Sequence, residues 1–446
     1  MRAPSPARAV AARVLERVAA DGAWADVALE AALDDPGLDP RDRALATELV
    51  YGTLRWQRYL DWLLAPHSRR RLASLDSRVL VLLRMAAYQL VLLERVPSFA
   101  VVSDAVTLTR GAPGVAAFVN AVLRSLARRG PREREPRPPA DPLEALATRC
   151  SFPTWLARRW VVRYGLDEAT ALMRAMNERP PLTLRTNLLR ATREALAARL
   201  GAEEGLVAAP TPLAPEGLRV EPGGGAPSSW RAFADGWFAV QDEASMLVAR
   251  LLGARPGETV ADVCAAPGTK TTHLAELMAD RGRVHAFDRD PSRLARVSDG
   301  AARLRLAIVA PRAGTVQALA PDLAAACAGV LVDAPCSNLG VLRRNPDVKW
   351  RRMAEELAGS GDRQREILAA AATMVKPGGR LVYATCSLEP EENEAVTRPF
   401  LESRPDFHLD PPPDFPLPLG GDGTLRCLPH RHGTDGFTAV RFRRAL

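Results

Sequence analysis

Two cysteines occupy equivalent places in this sequence, each just after a run of apolar residues typical of a buried strand. Cys336 stands in Asp333-Ala334-Pro335-Cys336-Ser337, and Cys386 follows Tyr383-Ala384-Thr385. Ligands of open α/β sheets bind outside the carboxyl ends of the strands, so neighbouring strands would bring both thiols to one cleft. Inert packing and a disulfide are the alternative explanations. The matching positions of the two cysteines, with Asp333 close by, favour a pair of thiols that take part in catalysis.

A tight turn of small residues follows an earlier predicted strand and runs into a helix. A P-loop would need glycines where this chain has Thr269 and Cys264, and a dinucleotide fingerprint needs three glycines where this loop has one. With both of these nucleotide-binding motifs excluded, we predict an adenosyl ligand without a polyphosphate. The residues that we predict to bind this cofactor are Cys264, Ala265, Ala266, Pro267, Gly268, Thr269 and Lys270.

Acidic and hydroxyl side chains are expected at the ends of the next two strands. Asp288 comes 20 residues after Gly268 and could bind both ribose hydroxyls of an adenosine. Alternatively, the turn is an ordinary connection and Asp288 caps a helix. An acid commonly meets the adenine amino group after the third strand, predicted at 307–310, but here the chain has Thr315, whose hydroxyl can still accept a hydrogen bond.

A thiol beside such a cofactor suits methyl transfer to carbon 5 of cytosine. That carbon is a poor nucleophile until a thiolate adds to carbon 6 and a proton or hydrogen bond reaches ring nitrogen 3. Because a free cysteine is only slightly ionised near neutrality, the site must promote the thiolate. Lys270 and the amino end of the helix after Gly268 are candidates for that role, and Asp333 is the candidate to face nitrogen 3. Geometry alone leaves open which thiol attacks.

The elements that position these residues fall into distinct stretches. Helical periodicity dominates the first 130 residues, and GPREREPRPPADP is a charged, proline-rich linker. From about residue 245, short β-branched runs alternate with helices, which is typical of a doubly wound α/β sheet. We therefore predict a doubly wound Rossmann-like α/β domain preceded by an all-helical domain and a small α+β connecting domain. The expected boundaries are 1–130 for the helical domain, 131–142 for the linker, 143–240 for the connecting domain and 241–446 for the α/β domain.

Composition restricts the class of protein. Among 446 residues, 47% are hydrophobic and 25% charged, and the net charge of +8 favours a polyanionic partner such as nucleic acid. The chain has neither an apolar run long enough to span a bilayer nor the pattern of a secretory signal, so we expect a cytoplasmic protein without membrane contact. Its six cysteines are too widely spaced for a disulfide framework or a zinc cluster, and we expect no metal.

Three blocks of the sequence resemble the Sun/NOL1 class of RNA cytosine carbon-5 methyltransferases. They are DVCAAPGTKTTHLAEL, LVDAPCSNLGVLRRNPDVKW and VKPGGRLVYATCSLEPEENE. The resemblance extends over nearly the whole chain. It includes Leu49-Val50-Tyr51-Gly52-Thr53 in a start similar to the antitermination factor NusB, then Leu184-Arg185-Thr186-Asn187, Val240-Gln241-Asp242-Glu243-Ala244-Ser245 and Asp435-Gly436-Phe437.

The resemblance implies specific roles. Cys386 would be the attacking nucleophile, Cys336 would assist product release, and S-adenosyl-L-methionine would contact the loop Cys264–Lys270, Asp288 and Asp333. Thr315 departs from the family's acid. The NusB-like start is typical of the RsmB-type branch, which implies small-subunit ribosomal RNA as substrate and RNA-binding roles for the first two domains; we expect a monomer. A tRNA methyltransferase and a non-catalytic RNA-binding assembly factor are the alternatives.

Overall fold

The computed structural model describes residues 3–94, 96–109, 113–128, 135–221, 223 and 225–446. The chain divides by its internal contacts into two compact units. The first comprises Met1–Glu178 and Leu342–Arg352, and the second comprises Arg179–Val341 and Met353–Leu446. In the described part of the chain, no helix combines the length and apolar character required to cross a membrane.

The first unit is helical, as predicted. Its long helices pack around a core of aliphatic side chains that includes Leu15, Leu49 and Leu83. Asp39 caps a helix as expected, because its carboxylate accepts a hydrogen bond of 2.7 Å from the amide of Asp42. The helices are α1 (Pro6–Ala20), α2 (Ala25–Leu33), α3 (Pro40–Arg55), α4 (Gln57–Leu64), α5 (Ser77–Leu92), α6 (Ser98–Thr107), α7 (Pro113–Ala127), α8 (Pro142–Arg149), α9 (Thr154–Tyr164) and α10 (Leu166–Met176).

Helices α8 to α10 lie in the first of the two units, whereas the small sheet predicted with them at 143–240 lies in the second. The physical reason is Arg58 of α4, which forms an ion pair with Glu144 and donates a hydrogen bond of 2.8 Å to the carbonyl of Phe152. Of the predicted linker 131–142, residues 131–134 lie outside the described residues, and 135–141 form neither helix nor strand.

A segment from the second half of the chain completes the helical unit. This segment, Leu342–Arg352, contains the short helix α17 (Val348–Arg351). Lys349 is 1% exposed, and its ammonium donates hydrogen bonds to the carbonyl of Arg55 (2.8 Å) and to Oδ1 of Asn177 (3.0 Å). Burial lowers the pKa of Lys349 well below its usual range. The segment is therefore an interior part of the helical unit.

The second unit begins with a small antiparallel sheet. Its strands are β1 (Leu182–Thr186), β2 (Ala208–Pro210), β3 (Gly217–Val220) and β4 (Phe238–Val240), in the order β2-β3-β1-β4. Helices α11 (Arg193–Glu204) and α12 (Arg231–Ala234) accompany it. The strand predicted at 182–187 is confirmed as β1, whereas residues 222 and 224 of the predicted loop 221–227 lie outside the described residues.

The larger sheet of this unit contains a parallel core. Its order is β10-β12-β9-β8-β5-β6-β7, with β11 also paired to β12. The strands are β5 (Thr259–Asp262), β6 (Arg283–Asp288), β7 (Val309–Ala313), β8 (Cys327–Asp333), β9 (Val375–Thr385), β10 (Phe407–Leu409), β11 (Thr424–Cys427) and β12 (Phe437–Arg444). The helices are α13 (Glu243–Leu251), α14 (Thr269–Leu277), α15 (Pro291–Leu304), α16 (Val316–Leu319), α18 (Glu356–Met374), α19 (Glu394–Ser403) and α20 (Pro429–His432).

The predicted fold class, doubly wound α/β after a helical domain and a connecting sheet, is confirmed. Strand order reverses between β5 and β8, which places a ligand crevice at their carboxyl ends. The third strand of the core, β7, starts later than the predicted 307–310. The reason is Asp280, whose carboxylate accepts hydrogen bonds from the amides of Ala307 (2.9 Å) and Ile308 (3.1 Å).

Candidate active site

The two thiols lie side by side at the carboxyl ends of adjacent strands. Strands β8 and β9 are parallel neighbours, with Asp333 opposite Ala384, and each continues into a loop that carries one cysteine. The sulfur atoms of Cys336 and Cys386 are 3.2 Å apart, and both cysteines are free. This separation is far longer than a disulfide bond and is that of a hydrogen bond between two sulfurs. One thiol is thus placed to donate to the other.

Cys336 is the partner that keeps its proton. The hydrogen bond with Cys386 and burial raise the pKa of Cys336 well above its usual value. Near neutral pH, Cys336 is therefore a thiol able to donate its S–H towards Cys386. Cys264, by contrast, stands in the loop after β5, and burial followed by the nearby carboxylate of Asp262 raises its pKa. Cys264 is therefore a packing thiol without nucleophilic character.

An ion pair between Lys270 and Asp333 borders the thiols. Nζ of Lys270 lies 2.7 Å from Oδ2 of Asp333 and 4.9 Å from the centre of the Phe437 ring. Burial lowers the pKa of Lys270, but the charges of Asp333 and Cys386 raise it more, so the net shift is upward. Lys270 therefore keeps a positive charge beside Asp333 and close to Cys386.

A buried glutamate holds the loop that carries Cys336. Glu392 is fully buried, and its carboxylate accepts hydrogen bonds from the amide (2.7 Å) and the hydroxyl (2.5 Å) of Ser337. The hydroxyl of Tyr383 in turn donates to the carbonyl of Glu392 (2.6 Å). We did not single out Glu392 in the sequence, although it stands in the block VKPGGRLVYATCSLEPEENE. Glu392 lies in a short Pro-Glu-Glu turn between β9 and α19, and no local feature of the sequence predicts this contact.

Two glycines let the cysteine loops approach each other. The amide of Gly340 donates to the carbonyl of Cys386, and the amide of Gly436 donates to the carbonyl of Gly340, both at 2.8 Å. A Cβ atom on Gly340 would lie 2.2 Å from the carbonyl oxygen of Gly436. A side chain at position 340 would therefore push the loop of Cys336 away from Cys386.

The predicted cofactor loop connects β5 to α14. Gly268 has φ +105°, and a Cβ there would meet the backbone of Val297 at 3.0 Å, so the loop packs against α15 as only glycine allows. Residues Cys264 to Gly268 precede α14, which begins at Thr269, and the first amides of a helix have no partner within it. This arrangement suits an adenosyl ligand that approaches the backbone closely.

Asp288 lies at the end of β6 against this loop. Its carboxylate accepts hydrogen bonds from the amide of Ala266 (3.2 Å) and from the amide of Asp290 (3.0 Å). The alternative that Asp288 caps a helix is wrong, because Asp290 is the residue that caps α15. Each oxygen of Asp288 keeps a further lone pair, which fits a role in binding ribose hydroxyls.

Thr315 lies two residues beyond β7 at the same edge of the sheet. It caps α16, with its hydroxyl oxygen accepting from the amide of Ala318 at 3.4 Å, and it is exposed. The preceding residue, Gly314, donates its amide to the carbonyl of Asp288 (2.9 Å), which sets Thr315 beside the predicted ribose site. Among the residues described, no group of three or more metal-ligating side chains occurs.

A buried arginine positions the start of α14, and sequence reasoning missed it. Arg185 of β1 has no exposed surface and donates to the carbonyl of Thr269 (2.6 Å) and to the hydroxyl of Thr272 (3.0 Å). It also forms a two-pronged ion pair with Glu276 (2.9 and 2.8 Å) and contacts Gln241. The motifs LRTN and QDEAS, otherwise without an assigned role, thus meet behind the cofactor loop.

Replacing Arg185 with methionine should destabilise the protein by roughly 3–5 kcal/mol, because it leaves the buried carboxylate of Glu276 without its partner. Urea unfolding monitored by circular dichroism would measure the loss. The matched control is the double variant Arg185→Met with Glu276→Leu, which removes both charges and should recover most of the stability. A single variant as stable as the unaltered protein would contradict this account of the network.

Three stretches of the chain match known protein families. Residues 249–443 match "16S rRNA methyltransferase RsmB/F", residues 5–128 match the "NusB family", and residues 152–224 match "Methyltr_RsmF/B-like, ferredoxin-like domain".

Relatives and solved structures are similar over most of the chain. The "Probable ribosomal RNA small subunit methyltransferase B" of Bacillus subtilis is 36% identical over 98% of this chain and 98% of its own length, and the protein of that name from Synechocystis is 36% identical over 98% and 99%. The crystal structure of PH0851 gives a TM-score of 0.83 at 30% identity and covers 100% of both chains. NSun6 from Pyrococcus horikoshii, solved with SFG, gives 0.60 at 25% identity, covering 66% of this chain and 99% of that one.

Proposed function

Because the chain belongs to the RsmB/F family of 16S rRNA methyltransferases, we propose that it methylates carbon 5 of a cytosine in 16S rRNA through a covalent bond from Cys386. The observation that carries the covalent mechanism is the pair of free thiols 3.2 Å apart, next to the ion pair of Lys270 and Asp333. A methyltransferase acting on an already nucleophilic atom would need neither thiol.

The methyl donor is S-adenosyl-L-methionine, which when bound supplies an electrophilic methyl group on a positively charged sulfur. SFG, with which the NSun6 structure was solved, is an analogue of this donor. We propose that the loop Cys264–Lys270 binds it through backbone groups, that Asp288 accepts hydrogen bonds from its ribose and that Asp333 contacts it. Thr315 would offer its hydroxyl to the adenine in place of the family's acid.

We propose that Cys386 begins the reaction as a thiolate stabilised by Lys270. Its sulfur adds to carbon 6 of the cytosine, and the displaced electron pair makes carbon 5 the nucleophile for methyl transfer. Asp333 faces ring nitrogen 3, and the proton that this nitrogen takes up comes from the ammonium of Lys270 through the carboxylate of Asp333, with which it is paired. The addition creates the bond between sulfur and carbon 6 and removes the aromatic character of the ring only transiently.

Release reverses the addition. The proton on carbon 5 passes to water, the proton on ring nitrogen 3 returns through Asp333 to Lys270, the bond between sulfur and carbon 6 breaks, and Cys386 leaves as a thiolate. Cys336, a thiol 3.2 Å away, donates its S–H to the departing sulfur and stabilises the charge that forms on it. We therefore propose that Cys336 acts in product release, the role that the family resemblance implies.

We also propose that separate parts of the chain bind RNA and carry out catalysis. A NusB-like domain (1–130) and a connecting domain (143–240), separated by a linker at 131–142, would bind RNA, and residues 241–446 would perform catalysis. The matched families at 5–128, 152–224 and 249–443 support this division. Arg69, Arg70 and Arg71 form an exposed basic loop suited to phosphate contacts. We propose that the protein acts in the cytoplasm as a monomer.

The direct test uses ribosomal RNA from a strain that lacks this protein. Purified enzyme with methyl-labelled S-adenosylmethionine should label the 16S rRNA, and bisulfite sequencing should then identify the protected cytosine. Transfer RNA from the same strain should remain unlabelled. Label in transfer RNA alone would favour the tRNA enzyme, and RNA binding without label would favour a non-catalytic assembly factor.

Replacing Asp288 with asparagine should weaken binding of S-adenosylmethionine about 10- to 100-fold, because hydrogen bonds to a charged group contribute about 1.5–3 kcal/mol. Isothermal titration calorimetry would measure the affinity. Asp290→Asn is the matched control: it lies two residues away and retains a good helix cap, so the affinity should not change. An equal loss in both variants would indicate a general disturbance of the loop and would remove Asp288 from the ribose site.

A further inference from the structure

One polar side chain touches the sulfur of Cys386 and has no role in the mechanism above. Oδ1 of Asn338 lies 2.9 Å from Sγ of Cys386 and 3.7 Å from Sγ of Cys336. Asn338 follows Cys336 by two residues, in the loop after β8. Its carboxamide therefore reaches from the loop of one cysteine to the thiol of the other.

The backbone of Asn338 is fixed in a conformation that suits this contact. Its φ is +64°, in the left-handed region that asparagine and glycine tolerate best. The loop is held on either side, because Ser337 is hydrogen-bonded to Glu392 and the amide of Gly340 donates to the carbonyl of Cys386. The hydrogen bonds on either side of Asn338 therefore hold its side chain against the thiol of Cys386.

We propose that Asn338 is a catalytic residue whose carboxamide accepts the S–H of Cys386 at rest and, turned about its terminal bond, donates an N–H to the thiolate during attack and release. The inference rests on the proposed role of Cys386 as nucleophile. An asparagine side chain carries both an acceptor oxygen and two N–H donors on one planar group, so a half-turn exchanges them. A hydrogen bond to a charged sulfur is stronger than one from a neutral thiol, so the net effect favours the thiolate.

Other charged and titratable groups also face the sulfur of Cys386 and must be separated from Asn338 in any test. Lys270 on α14 carries a positive charge close to this sulfur, and it is paired with Asp333 at the end of β8. Cys336 donates from the neighbouring loop, and Glu392 acts on it from the turn before α19. None of these groups changes in a substitution confined to position 338.

Asn338→Gly is the informative variant, because glycine adopts φ +64° without strain and the loop should keep its course. Ionisation of Cys386 is measured from the pH dependence of its alkylation by iodoacetamide, with mass spectrometry of the peptide that carries it. We expect the midpoint of that curve to rise by about one pH unit, and methylation of 16S rRNA at pH 7 to fall about tenfold. The melting temperature should be unchanged.

Asn338→Asp is the second variant, of the same size but with a negative charge beside the sulfur. It should raise the alkylation midpoint further than glycine does. The alkylation midpoint should also be compared between Cys336→Ala and the double variant Cys336→Ala with Asn338→Gly. The double variant should show the same upward shift relative to Cys336→Ala, which would mean that Cys336 does not transmit the effect of Asn338.

The outcomes separate this inference from the proposed function. A midpoint that is unchanged or lower in Asn338→Gly, in a protein that methylates 16S rRNA normally, overturns the role of Asn338 and leaves the proposed function intact. If the unaltered protein methylates no RNA, the proposed function fails; an upward shift in the alkylation curve of Asn338→Gly would still support Asn338 as the partner of the Cys386 thiolate.

Discussion

Cys386→Ala should lower methyl transfer to 16S rRNA by more than about 10³-fold, because the sulfur that we propose adds to carbon 6 of the cytosine is then missing. The binding of S-adenosylmethionine should persist, since Cys386 follows β9 whereas the cofactor loop follows β5. Incorporation of labelled methyl groups measures the first quantity, and calorimetric titration with the cofactor measures the second. The two results together separate a lost nucleophile from a lost binding site.

The control for this variant is Cys150→Ala. Cys150 is a buried cysteine of the helical unit with no place in the proposed mechanism, and its loss should leave methyl transfer within about twofold once the folded fraction is matched. If Cys386→Ala retained substantial activity, the covalent mechanism would have to be abandoned, or the attack reassigned to Cys336.

Cys336→Ala should accumulate a covalent complex between protein and RNA. Without the S–H beside it, the sulfur of Cys386 leaves more slowly from the methylated cytosine, and the intermediate builds up. The complex should appear as a band of reduced mobility that survives denaturing electrophoresis and disappears on digestion with ribonuclease. Turnover should fall to about one methyl group per enzyme molecule.

A double variant provides the internal check. Cys336→Ala combined with Cys386→Ala should form no adduct, because the attacking sulfur is gone. A covalent band from Cys386→Ala, with none from Cys336→Ala, would reverse the two roles. The symmetric placement of the thiols after β8 and β9 is compatible with either assignment, so the experiment is decisive where geometry is not.

Features that depend on local pattern could be predicted from the sequence. The strands before Cys336 and Cys386 read as buried runs, and the rule for parallel sheets then brings their carboxyl ends together. The positions of Gly268 after one strand and Asp288 at the end of the next could be predicted from their spacing, since the two strands are consecutive. The small departure at β7 came from Asp280, a side chain that binds two backbone amides and delays the strand.

Features that depend on contacts between distant residues could not be predicted. Arg185 meets Glu276 across 91 residues, and Ser337 meets Glu392 across 55. The periodicity and spacing of the sequence do not predict such pairs, because each partner resembles an ordinary polar residue of its own segment. Asn338 was hidden for another reason: its position beside Cys386 depends on a left-handed backbone angle that sequence alone does not specify.

The segment Leu342–Arg352 sets a constraint on how the chain is made. The helical unit comprises Met1–Glu178 together with this segment, so the ribosome must synthesise the residues between 178 and 342 before the unit receives its last piece. At about 5–20 residues per second, that interval lasts roughly 8–33 s. During it, the carbonyl of Arg55 and the side chain of Asn177 lack the ammonium of Lys349 that they bind in the finished fold. The helical unit therefore leaves the ribosome first, but its packing is completed only after the segment Leu342–Arg352 has been synthesised.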